Sequence, residues 1–142
     1  MYLTAEDMVA RFGGEEMIQL TDRTNMPPAT IDTDVLTAAI ADASALADSY
    51  ISSRYALPLA TTPSALARQV GDIARYYLYG ARADVGGAIE RAYKDALGWL
   101  INVAKGVVKL DLPDGELVPA SSGSAARVQT GAPVFTSGFR RF

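Results

Sequence analysis

Carboxylates, lysines and tyrosines are the only side chains here fit for acid–base or metal chemistry, because the 142 residues include no His and no Cys. Their absence rules out thiol catalysis, Cys-ligated zinc, iron–sulfur clusters, disulfides and any Ser-His or Cys-His dyad. Asp32-Thr33-Asp34 could offer two oxygens to a divalent cation. An EF-hand loop needs further acids, a central Gly and a distal Glu, which are missing, so the triplet reads as a loop acid followed by a helix cap. Glu15-Glu16 has the side chains of a glycosidase acid, but consecutive residues diverge on a helix and no partner carboxylate can be named. That pair reads as solvated surface. Gly13-Gly14, Gly80 and Gly86-Gly87 are not followed by the Lys-Ser or Lys-Thr of a phosphate loop, and no G-x-G-x-x-G pattern occurs. They read as helix ends. No catalytic set, metal or cofactor is expected.

Recognition chemistry has two candidates. Ser64 to Gly71 followed by Asp72 to Tyr76 mimics the first helix and turn of a helix-turn-helix reader. A real turn would break the register after Gly71, whereas Leu66, Val70, Ile73 and Tyr77 keep one helical face straight through it. Tyr76, Tyr77 and Tyr79 with Arg75 and Arg82 could stack on single-stranded bases. Tyrosines at helical spacing more often bury the ring and leave the hydroxyl wet, in packing or at an interface. Tyr76, Tyr79 and Arg82 are therefore candidate subunit-interface residues. Thirteen Lys and Arg against sixteen Asp and Glu give a net charge of −3, a poor balance for general phosphate binding.

The elements that must position these residues are helical. Thr4 with Glu6-Asp7 has N-cap spacing, and Met8, Val9 and Phe12 fall on one face of a short helix ended by Gly13-Gly14. Residues 15–20 read as a second short helix or turn, and residues 21–30, with Asp22, Asn25 and Pro27-Pro28, as a loop. The longest stripe runs from Leu36 through Ala39, Ile40, Ala43, Leu46, Ala47 and Tyr50 to Ile51, which predicts a helix over about 35–55 capped by Thr33 or Asp34. Arg54 then sits near the helix C-terminus, where a cation is favoured, and Leu57-Pro58-Leu59 forces an extended exit. Thr62-Pro63 reads as N-cap and first helical residue of a third major helix, 63–79, with Leu66, Val70, Ile73, Ala74 and Tyr77 inward. A last helix over about 88–105 is expected to turn Ile89, Tyr93, Leu97, Leu100, Ile101 and Ala104 inward.

Three divisions follow: a helical domain over 1–106, a segment at 107–119 compatible with a short β-hairpin around Pro113-Asp114-Gly115, and a linker with an extended C-terminal tail at 120–142. The fold class expected is mostly α, a small bundle of about four helices. From Leu117 onward there are three Arg and no acid, leaving −6 for the remainder. Val134, Phe135, Phe139 and Phe142 stand in this basic tail without a core of their own, and such side chains call for a partner surface. They are candidate partner-binding anchors, with Arg140 and Arg141 to pair with acids. The first residues lack the basic and apolar regions of a signal peptide, and no stretch reaches the ~18–20 apolar residues of a membrane span. A soluble protein made in a reducing cytoplasm is expected.

Tyr2-Leu3-Thr4, Asp7-Met8, Arg11-Phe12-Gly13, Glu16 and Gln19-Leu20-Thr21-Asp22 together resemble the opening of the Mu-type phage neck proteins. Ala39 to Ser44, Tyr50, Arg54 to Leu59 and Pro63 resemble their central block. Ile73 to Leu78 and Glu90 to Tyr93, with Ala96 and Leu100, resemble their third and fourth helices. The resemblance covers about residues 2–106. It implies a head–tail connector, or adaptor, of the virion neck, made in the bacterial cytoplasm and not an enzyme. Such proteins form a homo-oligomeric ring of about twelve copies. The portal protein would lie above and a stopper or tail-completion protein below, with DNA passing through the channel without sequence-specific binding. The rival reading is a small DNA-binding or regulatory module built on Leu66–Arg82.

Overall fold

The computed structural model describes residues 1–112. Five α-helices follow in order: α1 (Ala5–Phe12), α2 (Gly14–Thr21), α3 (Thr33–Ile51), α4 (Ser64–Tyr79) and α5 (Ala88–Ala104), with a 3-10 turn at Gly80–Arg82. Among the described residues there is no β-strand.

Helix α1 starts as the spacing predicts. The Thr4 hydroxyl accepts from the Asp7 backbone N–H at 3.2 Å, and the Asp7 carboxylate accepts from the Thr4 N–H at 2.8 Å. Two otherwise unpaired donors are thereby satisfied reciprocally. Gly13, at φ +93°, separates α1 from α2, a conformation in which a Cβ is costly.

Helix α3 begins differently from the expectation. Asp32 is its N-cap, accepting from the N–H groups of Asp34 and Val35 at 3.0 and 3.2 Å, so neither Thr33 nor Asp34 caps. The loop acid is itself the cap. At the other end α3 stops at Ile51 rather than near Tyr55, and residues 52–54 form a turn in which the Tyr55 N–H still bonds the Ile51 carbonyl at 2.9 Å. Helix α4 starts at Ser64 behind Pro63, with no side-chain cap.

Helices α3, α4 and α5 pack on one another, and the α1–α2 pair lies across α3 and α4. The core they share includes Leu36, Ile40, Ala43, Ala47 and Ile51 of α3, Leu66, Val70, Ile73 and Ala74 of α4, and Ala96, Leu100 and Val103 of α5. Met8 and Met17 plug it from α1 and α2, each full burial being worth ~1.5–3 kcal/mol. The expected inward face of α4 is buried at Leu66, Val70, Ile73 and Ala74, but Leu78 is buried in place of the expected Tyr77, which is 37% exposed. In α5 Leu100 is buried as expected, together with Ala96 and Val103, while Ile101 is 37% exposed.

Residues 107–112 run as an irregular segment back along the bundle. Leu110 is buried, and its N–H donates to the Tyr55 hydroxyl at 2.9 Å. The rest of the expected hairpin and the whole of the linker and tail lie outside the described residues.

Candidate functional site

A first polar centre lies where α2 meets α4. Arg75 reaches Glu16 through two parallel bonds, Nε to Oε1 at 2.6 Å and Nη2 to Oε2 at 2.9 Å. Its guanidinium carbon stands 4.7 Å from the centroid of the Phe12 ring and 5.9 Å from that of Tyr79. A planar cation held by a carboxylate and flanked by aromatic faces is a geometry only Arg satisfies. The Glu16 bonds hold the Arg75 guanidinium above its ordinary range, against the opposing effect of burial. Seven residues beyond Arg75, Arg82 donates to the carbonyls of Gln19 and Leu20 at 3.3 and 3.4 Å, capping the C-terminal end of α2.

A tyrosine cluster occupies the α4–α5 seam. The rings of Tyr76 and Tyr93 stack with centroids 4.1 Å apart and planes 10° from parallel. Tyr77 tilts against both, at 6.5 Å from Tyr76 and 6.2 Å from Tyr93. Burial, followed by the nearby Tyr93 and Asp42, raises the Tyr77 hydroxyl above its ordinary range. Tyr76 and Tyr79 are half-buried and Tyr77 lies at the surface. The three expected interface residues are thus each engaged within the chain: Tyr76 with Tyr93, Tyr79 beside Arg75, Arg82 with α2. Tyr77 forms the exposed edge of this cluster.

A second polar centre closes the loop between α2 and α3. The Asp22 carboxylate accepts from the backbone N–H groups of Thr24, Asn25, Ala29 and Thr30 at 3.1, 3.0, 2.9 and 3.0 Å, and from the Asn25 side-chain amide at 2.8 Å. These donors hold the Asp22 carboxyl far below the usual carboxylate range, the Ala29 N–H first among them. Beside it, the buried Thr21 hydroxyl donates to the Met17 carbonyl at 2.7 Å and accepts from the Asp32 N–H at 3.0 Å. The loop is wound around one carboxylate and carries Met26, 98% exposed, at its tip. Pro27 follows a cis peptide bond, as does Pro58.

The N-terminal segment is fixed in the same manner. The Tyr2 hydroxyl donates to the Asp48 carboxylate, and the Tyr2 N–H donates to the Ser44 hydroxyl at 3.4 Å. Burial, and then Asp48, push the Tyr2 hydroxyl well above its ordinary range.

None of these centres gathers reactive groups around a cleft. Among the described residues no group of three or more His, Cys, Asp or Glu could hold a metal ion. Asp32 is spent on its helix cap and Glu16 on Arg75. No helix of the described residues is long and apolar enough to cross a membrane. Helix α4 passes unbroken through Gly71, whose Cα lies under α1: a Cβ there would stand 3.6 Å from Arg11 Cδ and Phe12 Cε2 and 3.7 Å from Leu3 Cδ1. The turn required by a helix-turn-helix reader is absent from this segment. The tail anchors Val134, Phe135, Phe139, Arg140, Arg141 and Phe142 lie outside the described residues.

Sequence reasoning missed the Arg75–Glu16 clamp and the Asp22 knot. The first joins residues 59 positions apart and leaves no local signal. The second had one, since an Asp three residues before Asn and followed by Pro-Pro is typical turn chemistry.

The family model described as "Bacteriophage Mu, Gp36" matches residues 2–129. "Gene product J" of Escherichia phage Mu is 31% identical over 135 residues, spanning 95% of this chain and 94% of the relative. "Mu-like prophage FluMu protein gp36" of Haemophilus influenzae is 32% identical over 133 residues, spanning 93% and 91%.

Proposed function

The chain belongs to the bacteriophage Mu Gp36 family, and from that premise we propose that it is a head–tail connector of the virion neck, structural rather than catalytic. The observation that carries this reading is the end-to-end match to a phage Mu protein and a Mu-like prophage protein. It is joined to a body whose prominent side chains are built for contact and not for reaction.

A ring of copies requires a heterologous interface that closes on itself. The tyrosine seam of α4 and α5, with Tyr77 at its exposed edge, has the mixed apolar and hydroxyl character of such contacts. Arg75 and Glu16 keep α2 and α4 from sliding, so each copy would enter the ring as a rigid block. The C-terminal segment would supply the axial contact. Phe135, Phe139 and Phe142 are the apolar anchors and Arg140 and Arg141 the charged ones, facing a portal above, with a stopper or tail-completion protein below and DNA in the channel.

The test is mass by light scattering of the purified chain, alone and mixed with portal rings from the same phage. A defined multi-copy assembly that forms on the portal supports the connector. A chain that ignores the portal overturns it. Removal of residues 131–142 is expected to leave the fold intact and abolish assembly.

A further inference from the structure

An apolar groove lies between α1 and the start of α3, lined by Ala5, Val9, Ala10, Ile31, Thr33 and Leu36, with a volume of about 360 Å³. Glu6 lines it as well. The ion pairs among the described residues, Arg75–Glu16 and Lys94–Glu90, leave Glu6 without a cation. The groove therefore combines an apolar floor with one carboxylate at its edge.

The chain contains one segment of the complementary composition. Val134-Phe135-Thr136-Ser137-Gly138-Phe139-Arg140-Arg141-Phe142 carries three Phe and two Arg and no acid. Its reach matches. Leu110 is tied to Tyr55, just past the C-terminal end of α3, whereas the groove lies at the N-terminal end of that helix. The 19 residues of α3 span about 28 Å at ~1.5 Å per residue. Between Leu112 and Val134 lie 21 residues, a length that as an unstructured chain would average ~25 Å end to end. A tether whose mean length equals the span it must cross gives the highest effective concentration, of order mM. That favours capture within one chain over capture between chains at ordinary protein concentrations.

We propose that the segment Val134–Phe142 folds back along its own α3 and seats its phenylalanines in the groove between α1 and α3, with the Arg140-Arg141 pair at Glu6. The contact belongs to the free subunit and stands independently of the connector reading. A partner that takes the same phenylalanines must first displace them from the groove.

The chain has no Cys, so engineered thiols report one pair at a time. Full-length Ala10→Cys/Ser137→Cys places a thiol on the exposed groove wall and another between Phe135 and Phe139. Full-length Ser52→Cys/Ser137→Cys places the first thiol at the other end of α3, nearer the tether, where an undocked tail collides more often. Under a mild oxidant, the intrachain disulfide, read by mass on dilute protein, is expected to form about tenfold faster at position 10 than at position 52. Adding Phe135→Ser and Phe139→Ser is expected to erase that preference. Equal or faster closure at position 52 overturns the proposal. Disulfides at position 10 that link only separate chains also overturn it, and assign the groove to a second copy.

Discussion

Arg75 and Glu16 are joined by two parallel hydrogen bonds across the α2–α4 boundary, with both side chains about one-quarter exposed. Half-buried and bidentate, the pair differs from an open surface ion pair, whose value is often near zero. Arg75→Lys keeps the charge but loses the fork and the flat faces against Phe12 and Tyr79. It is expected to cost about 1 kcal/mol, and Arg75→Ala about 2 kcal/mol. Urea denaturation of the two variants checks the order; equal loss would mean that charge alone matters.

Asp22 makes the fold sensitive to acid. Its carboxyl is held below the ordinary range by the N–H groups of Ala29, Thr30 and Asn25. A group whose folded pKa is depressed stabilises the fold fully above its unfolded pKa, ~3.9, and loses that contribution as pH falls through the folded one. Asp22→Asn is therefore expected to unfold at lower urea than the parent at pH 7, and the gap is expected to narrow below about pH 4. Urea midpoints of the two proteins across pH 2–7 measure it.

Gly106 stands at φ +77°, and a Cβ there would lie 2.7 Å from Cζ and Nη1 of Arg54 and 2.8 Å from Nη2. Since Arg54 is the free end of a long side chain, it can swing away, and the backbone conformation is the larger cost. Gly106→Ala is expected to destabilise by about 1 kcal/mol. Arg54→Ala/Gly106→Ala is expected to recover little of it. Recovery of most of the loss in the double variant, followed by thermal melting, would show that the clash decides.

Tyr55→Phe removes the acceptor of the buried Leu110 N–H. An unpaired buried donor costs about 1–3 kcal/mol. Because the loss falls on residues 107–112, amide exchange at Leu110 is expected to accelerate more than exchange at Ile40 or Ile73 in the core. Uniform acceleration would mean that this segment opens only with the whole protein.

The elements legible in the sequence are those governed by neighbours along the chain. The Thr4–Asp7 capping box, the Gly13 break and the long stripe from Leu36 to Ile51 all follow from spacing within one or two turns. Helix α3 starts about two residues earlier than expected because Asp32, Thr33 and Asp34 are all good caps, and only the Asp32 side chain meets the first free N–H groups. The last inward residue of α4 was harder. Tyr77 and Leu78 are adjacent and both apolar enough to face in, yet Leu78 is buried while Tyr77 packs beside Tyr76 and Tyr93 at the surface. Contacts such as Arg75–Glu16 depend on how whole helices dock, which no short window contains.

The bond from Leu110 to Tyr55 has a consequence for symmetry. It ties Leu110, close to the last described residue, to the turn after α3. In any closed assembly of identical copies, that tie repeats at equal angles and one height. The points at which the chains leave the bodies are then evenly spaced, so a partner with a different number of subunits would meet those points out of step at most positions.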